Sequence, residues 1–489
     1  MEFHGEILGI VIAYFIVLLI IGIFASRKVK TYRDFIIATG QFNLLILMGT
    51  VIATQWGGVT VMGVPGLGYK EAYRAIYYAS AAVPRFLLWA LLLAIPIWIA
   101  KPWTITEWFS QRFDRKNGYL IAILNVLGFI GLIAGQLVAT ARIFSVMTGL
   151  SFDVALLIGA LIVIVYTTAA GIYGVAYTDV FQFIIIFAGV LTLAGVAHAT
   201  IGLDTIKQAL PPEHWSTLGL DGLFFFVTLF ILWCADLPFN YVIQRISSAR
   251  TKKVAFMAPV FGAMSYFIAA YLGGTLGSYA AYVIPGLKAT DEAVIRLSIA
   301  ILPPAVAGLL AAALLAVTMS SADTYLNGPA SLIVHDLIRP FKPTLTDKQL
   351  LRLTRLTTIV LAIIAVIAGL WIKAIIKVLI TFLYFTVAAI PPFVASVFWK
   401  KANAEGAFWG MLIGGIIGGG LRFAYLFGLT PAGNLYGLYL PAWLGIAVST
   451  VILIALSLAR PRTTSSELST AGGSSIPSSV QHIVKVMPW

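Results

Sequence analysis

Apolar residues run along this chain in long, nearly continuous blocks separated by short polar clusters, with no strand-like alternation. A helix needs about 20 apolar residues to cross the hydrocarbon of a bilayer. The blocks predict about thirteen such spans, near 5–26, 43–69, 74–100, 118–148, 152–173, 179–202, 220–245, 253–284, 303–335, 353–373, 375–398, 405–428 and 437–459. The opening Met1-Glu-Phe-His-Gly-Glu6 lacks the positive flank of a cleaved leader, so Ile7 to Ala25 is read as a retained span. Two spans carry helix-disfavouring residues. Span two contains Gly57-Gly58 within Ile52-Ala-Thr-Gln-Trp-Gly-Gly-Val-Thr-Val-Met-Gly-Val-Pro-Gly66, and span seven contains Pro238 within Trp233-Cys-Ala-Asp-Leu-Pro-Phe-Asn240. Unwound backbone at membrane depth is tolerated where it lines a cavity or is buried in protein.

Spans two to six and seven to eleven are both sets of five, and each set opens on a broken span. An odd repeat length inverts the second copy across the membrane, and paired broken helices mark the solute site of inverted-repeat transporters. The predicted division is 1–42 (first helix and loop), 43–202 (first repeat), 203–400 (second repeat), 401–462 (two added helices) and 463–489 (a flexible tail rich in Ser, Thr and Gly).

Composition supports this plan. The chain is 60% hydrophobic and 10% charged, whereas a soluble domain carries about 25% charged residues. The fold class is all-α and polytopic, with a lipid bilayer as its solvent. The net charge of +13 invites a nucleic-acid reading, but the basic residues sit in short loops between spans. About 22 Lys and Arg fall on one side and about 7 on the other, and the richer side is cytoplasmic. That places the N-terminus outside and the C-terminus inside, in the cell membrane. Arg245 is counted among the cytoplasmic-loop residues. The single Cys234 excludes an internal disulfide. The five His residues show no ligand spacing, and neither a phosphate-binding Gly loop nor a nucleophile–His–acid set is present. The pattern implies no enzyme and no cofactor.

Candidate chemistry centres on Ala316-Val-Thr-Met-Ser-Ser-Ala-Asp-Thr-Tyr-Leu-Asn327, inside the apolar block Leu302 to Leu337. Helical spacing puts the Val317 carbonyl beside the Ser320 and Ser321 hydroxyls. Such hydroxyls either bond back to their own helix or lend oxygen to a small hard cation. Asp236 is deep in span seven and would meet a solute ammonium, a cation, or Arg85 or Arg142. Asp179 with Gln182 fits a helix-capping box at the start of span six. Gln136 and Tyr384 either face the cavity or bond between helices. Trp56, Tyr69 and Tyr384 are aromatic candidates to close over a solute, and Asp323 is read as a gate or packing residue.

Three stretches resemble the sodium:solute symporter family, which includes bacterial proline, pantothenate and galactose transporters. Leu315-Ala-Val-Thr-Met-Ser-Ser-Ala-Asp-Thr324 is similar to its sodium-ligand helix, Tyr166-Thr-Thr-Ala-Ala-Gly-Ile-Tyr-Gly-Val-Ala-Tyr-Thr-Asp-Val-Phe-Gln182 to its signature, and Val242-Ile-Gln-Arg245 to a cytoplasmic loop. The resemblance implies a five-plus-five inverted-repeat core like that of the bacterial leucine transporter, coupled to sodium. It implies a sodium site built from the carbonyls of Ala53, Trp56 and Val317 with the hydroxyls of Ser320 and Ser321. It gives Asp179 a second-cation or coupling role. Gln55 stands where the proline-transporter branch has Asp. The solute-facing candidates are Gln55, Gly57, Gln136, Asp236 and Tyr384, and the solute is a small organic molecule such as an amino acid, carboxylate, vitamin or sugar. Two rival readings are a proton-coupled or uncoupled carrier of the same fold, and a transporter-like membrane sensor.

Overall fold

The computed structural model describes residues 40–216 and 220–460, with isolated positions between 9 and 24. Most of the predicted first span, and the tail from 463 onward, lie outside the described residues. Everything described is helix and connecting turn, apart from one isolated bridge between Phe42 and Ala249. The helices are α1 (Leu44–Gln55), α2 (Val59–Lys70), α3 (Ala72–Ala100), α4 (Ile105–Arg112), α5 (Arg115–Thr148), α6 (Phe152–Thr200), α7 (Leu203–Ala209) and α8 (Leu220–Cys234). They continue as α9 (Asn240–Ser248), α10 (Lys252–Val283), α11 (Ala293–Ile301), α12 (Pro304–Leu332), α13 (Asp347–Trp371), α14 (Ile375–Phe398), α15 (Ala404–Leu426) and α16 (Leu435–Ala459).

Among the described residues, nine helices are long and apolar enough to cross a membrane, or ten with α1 and α2 counted as one bent span. The expected thirteen spans differ from this at three places. Most of the first span lies outside the described residues. Spans five and six are a single helix, the 49-residue α6, which contains the apolar stretches Phe152–Val165 and Val175–Thr200. Span seven is divided into α8 and α9, and the 15 residues of α8 fall short of the ~20 needed to cross alone.

Local signals set the helix ends. Asn43 caps α1 by accepting from the Ile46 amide at 3.0 Å. Asp114 caps α5 in the same way, and Gly149 ends it in a left-handed conformation at φ 72°. Thr346 and Gln349 form a reciprocal capping box at the start of α13. By contrast, Asp179 caps nothing. It lies inside α6, so the predicted capping box at Asp179–Gln182 is absent, and the Gln182 amide instead donates to the Tyr14 hydroxyl at 3.0 Å.

The core centres on α5 and α12, each about 83% buried over its most apolar window. Around them, α1, α2, α9 and α14 bring both helix breaks to the middle of the bundle. At the first break, α1 and α2 diverge by 52°. A Cβ on Gly57 would sit 2.4 Å from the Ser321 hydroxyl oxygen, and one on Gly58 would sit 2.4 Å from the Ala139 methyl carbon. Close approach to α12 and α5 therefore requires both glycines.

Candidate functional site: the two helix breaks

At the first break, the helix end of α1 faces the serine pair of α12. The Ser320 hydroxyl lies 3.0 Å from the Ala53 carbonyl and 3.0 Å from the Val317 carbonyl, while the Ser321 hydroxyl lies 2.8 Å from the Thr54 carbonyl. Tyr325 adds its hydroxyl to the same Thr54 carbonyl at 3.2 Å. Three of the predicted oxygen ligands therefore meet directly, Ala53, Val317 and Ser320, and the Ser321 hydroxyl faces the same end of α1. Ser321 approaches through Thr54, a carbonyl the sequence reading did not include. Both readings of the serines have a counterpart in this geometry, because Ser320 bonds its own helix and also reaches across to α1. Trp56 ends α1, stacks on Phe187 with ring centroids 4.4 Å apart, and donates from its indole to Ser265 at 3.1 Å. Among the described residues, no cluster of three or more His, Cys, Asp or Glu side chains is present. The oxygen set of carbonyls and hydroxyls suits a singly charged hard cation better than a transition metal.

A second polar system joins the two breaks. Gln55 donates to the Tyr241 hydroxyl at 2.5 Å and accepts from Arg85 Nη2 at 2.8 Å. Tyr241 donates to Asp236 Oδ2 at 2.6 Å, and Arg85 Nη1 stands 3.4 Å from Asp236 Oδ1. Of the partners predicted for Asp236, the structure places Arg85 beside it. Arg142 pairs elsewhere, with Glu292 at 3.2 Å. The Arg85 guanidinium also lies over the Phe86 and Trp233 rings, at 4.0 and 5.5 Å, which offsets part of its desolvation.

Between the breaks is a cavity of about 30 Å³ lined by Gln55, Gly57, Thr60, Gln136 and Asp236, with apolar walls that include Leu132, Leu232 and Leu383. That space holds a water or two, so a larger solute requires the walls to separate. Four of the five predicted solute-facing residues line it. Tyr384 does not. It turns toward the C-terminal helices, donating to the Leu438 carbonyl at 3.0 Å beneath the Arg422 guanidinium. Neither Trp56 nor Tyr69 lines the cavity, and the Tyr69 hydroxyl bonds the Ile284 carbonyl at 2.6 Å. The cavity aromatics are instead Tyr78, Trp233 and Tyr325.

Two amides of α5 hold the breaks, and sequence reasoning found only one of them. Gln136 Oε1 accepts from the freed Gly58 amide at 2.7 Å. Asn125 donates to the Pro238 carbonyl at 3.0 Å and accepts from the Asn240 amide at 2.9 Å. Asn125 is a polar residue deep inside an apolar helix, and that was its only signal in the sequence.

Further from the cavity, Asp323 accepts from the Thr167 hydroxyl, joining α12 to α6. Asp179 accepts from Thr50 at 2.5 Å and stands 3.8 Å from Arg245 Nη2. Arg245 is not in a loop, as its Lys/Arg-rich surroundings predicted. It is buried in α9, and its Nη2 is within 3.0 Å of Thr50, 2.5 Å of Thr54 and 2.9 Å of Thr324.

Comparison with known proteins agrees with this architecture. The chain is 25% identical over 439 residues to the sodium/pantothenate symporter of Escherichia coli, covering 84% of this chain and 89% of that protein. It is 28% identical over 382 residues to the human high affinity choline transporter 1, covering 72% of this chain and 65% of that protein. Its fold is similar to that of a Na+-coupled sialic acid symporter solved in a substrate-bound outward-open state, with a TM-score of 0.79 at 20% identity over 94% of this chain and 100% of the other. A nucleobase-cation-symport-1 family transporter in a closed conformation follows at a TM-score of 0.55 and 14% identity, over 88% and 96% of the two chains. The profile of the Sodium:solute symporter family matches residues 35–414, and the chain belongs to that family.

Proposed function

We propose that the protein is a sodium-coupled symporter that imports a small organic solute across the cell membrane by alternating access. The observation that carries this reading is the approach of Ser320 and Ser321 to the carbonyl end of α1, at 2.8–3.0 Å. Sodium entering there would take the Ala53, Trp56 and Val317 carbonyls and both hydroxyls. It would join α1 to α12 and stabilise the outward-open arrangement. The solute would then bind between the two breaks, against Gln55, Gly57, Gln136 and Asp236. The core of the bundle would then rock against the surrounding scaffold helices to expose it on the cytoplasmic side. Each sodium carries a charge through the membrane field, worth roughly 2.3 kcal/mol per 100 mV.

Relatives in the comparison are named for pantothenate, choline and myo-inositol, so the family relationship leaves the solute class wide. The Arg85–Asp236 pair leaves the cavity close to electrically neutral, which favours a neutral or zwitterionic solute over one with a large net charge. The test is a thermal-shift screen of amino acids, carboxylates, vitamins and sugars on the purified protein, with sodium and with potassium in its place. A solute that stabilises the protein more strongly in sodium supports the proposal. A stabilising solute that is indifferent to sodium across a wide range would place the protein among uncoupled or proton-coupled carriers of this fold.

A further inference from the structure

The side chain of Arg245 ends among hydroxyl and carboxylate oxygens from three other helices. Its Nη2 meets the hydroxyl oxygens of Thr50 at 3.0 Å, Thr54 at 2.5 Å and Thr324 at 2.9 Å, with Asp179 Oδ2 at 3.8 Å. These oxygens come from three helices, α1, α12 and α6, and the guanidinium enters from a fourth, α9. A guanidinium NH2 group has two protons, yet three hydroxyls surround this one. The hydroxyls also satisfy one another. Thr50 donates to Asp179 Oδ2 at 2.5 Å, and Thr54 and Thr324 share a bond of 3.2 Å.

An arginine placed to pair with a carboxylate normally does so through two parallel bonds. Here that fork is not made. Among the described residues, Arg245 Nε and Asp179 Oδ1 are both buried without a hydrogen-bond partner, and Nη1 reaches only the Tyr241 carbonyl at 3.5 Å. The geometry is that of a carboxylate and three hydroxyls converging on a point of positive charge, with the charge supplied by a side chain.

We infer that Thr50, Thr54, Thr324 and Asp179 form an alkali-cation cage filled by the tethered guanidinium of Arg245. An ion fixed to the chain cannot leave with the solute. The cage therefore contributes no transported charge, and Asp179 is not a ligand of a coupling ion while Arg245 is in place. The statement about coupling rests on the sodium reading of the Ser320–Ser321 site, but the occupancy of the cage by Arg245 does not. If Arg245 is truncated, the buried Asp179 carboxylate loses its counter-charge. Four oxygens drawn toward one point then offer a small cation both charge and coordination.

Binding of 22Na+ to the purified full chain, with no solute present, tests the inference. Arg245→Ala is expected to bind one more sodium per chain than the wild type, and Asp179→Asn on that background is expected to remove the added ion. Asp179→Asn in the otherwise unchanged chain is expected to leave the wild-type sodium count as it was. The inference is overturned if Arg245→Ala gains no sodium while remaining monodisperse, or if Asp179→Asn alone removes one. That last result would overturn the inference even if Arg245→Ala does not fold. A wild type that binds no sodium, together with a gain in Arg245→Ala, would sink the proposed coupling site and leave the tethered-cation cage standing.

Discussion

Asn125 and Gln136 lie eleven residues apart on α5, close to three turns at 3.6 residues per turn, so one face of a single helix presents an amide to each break. Gln136 serves the freed Gly58 N–H of the first break, and Asn125 serves both a carbonyl and an N–H of the second. A single helix therefore contacts both breaks. A buried donor left without its acceptor costs about 1–3 kcal/mol. Gln136→Leu and Asn125→Leu should each lower the thermal midpoint of the purified protein by several degrees. Gln136→Leu should in addition blunt sodium-dependent stabilisation, because it loosens the break that carries Ala53 and Thr54. Equal sodium responses in the two variants would show that α5 supports both breaks only generally.

Arg85 and Asp236 give a second, sharper test. The pair is buried, so removing one partner leaves an unpaired charge at a cost of about 3–5 kcal/mol. Asp236→Asn should destabilise the protein markedly. Arg85→Gln combined with Asp236→Asn should recover much of the loss, since neither charge then remains buried. Solute uptake separates a structural pair from a recognition site. Full transport by the double variant would mean that Asp236 serves Arg85 alone, whereas recovered stability without recovered uptake would mean that the carboxylate also meets the solute.

Much of this arrangement was legible in the chain because its strongest signals are local. Gly57-Gly58 and Pro238 mark both breaks, and helical spacing alone puts the Ser320 hydroxyl beside the Val317 carbonyl, although Ser321 turns to Thr54 instead. What was not legible depended on which distant helix faces which. Thr54, not only Ala53, is the carbonyl that meets the serine pair, because the rotation of α1 against α12 is set by packing. Tyr384 has the polarity of a cavity residue, yet it lies on the side of α14 that meets the C-terminal helices. Arg245 has neighbours in sequence, Arg250, Lys252 and Lys253, that resemble a cytoplasmic loop. Its burial is possible only because Asp179 and three threonines arrive from other helices, and no local pattern reports that. Asp179 has the spacing of a capping box but sits in mid-helix, where its backbone amide is already used.

Orientation is open to direct measurement. The bias of Lys and Arg predicts the N-terminus outside and the C-terminus in the cytoplasm. The native Cys234 is buried, so background labelling should be low. In intact cells, Phe3→Cys should react with an impermeant maleimide, and Thr470→Cys should react only after lysis. The opposite pattern would reverse the topology and with it the direction assigned to transport.

Gly57 supplies a steric prediction. A Cβ there would lie 2.4 Å from the Ser321 hydroxyl oxygen and 2.8 Å from both terminal atoms of the Gln136 amide. Gly57→Ala must therefore push α1 away from α12 or displace both polar groups. Sodium-dependent stabilisation should fall sharply while the protein still inserts and purifies. Gly420→Ala, where a Cβ meets nothing within 4 Å, should behave as wild type. Equal behaviour of the two glycine variants would show that the first break is not held tightly against the serine pair.

The serine pair carries the prediction on which the proposed function depends most. A sodium held by carbonyls and hydroxyls has no full counter-charge at the site, so its binding is weak and each ligand counts. Losing one ligand on the scale of a hydrogen bond costs about 1–3 kcal/mol, or roughly five- to 150-fold in affinity. Alanine is the best helix former, and Ser320 and Ser321 lie mid-helix in α12, so folding should survive either replacement. Ser320→Ala removes contacts to both Ala53 and Val317, while Ser321→Ala removes only the contact to Thr54. The first should therefore raise the half-maximal sodium concentration more than the second, each within that range. The double variant should lose sodium-stimulated uptake almost entirely. High sodium should restore solute affinity in the single variants, because coupling between two binding sites is reciprocal. Wild-type sodium dependence in both single variants, at matched expression, would make these serines packing residues and would remove the basis for placing sodium between α1 and α12.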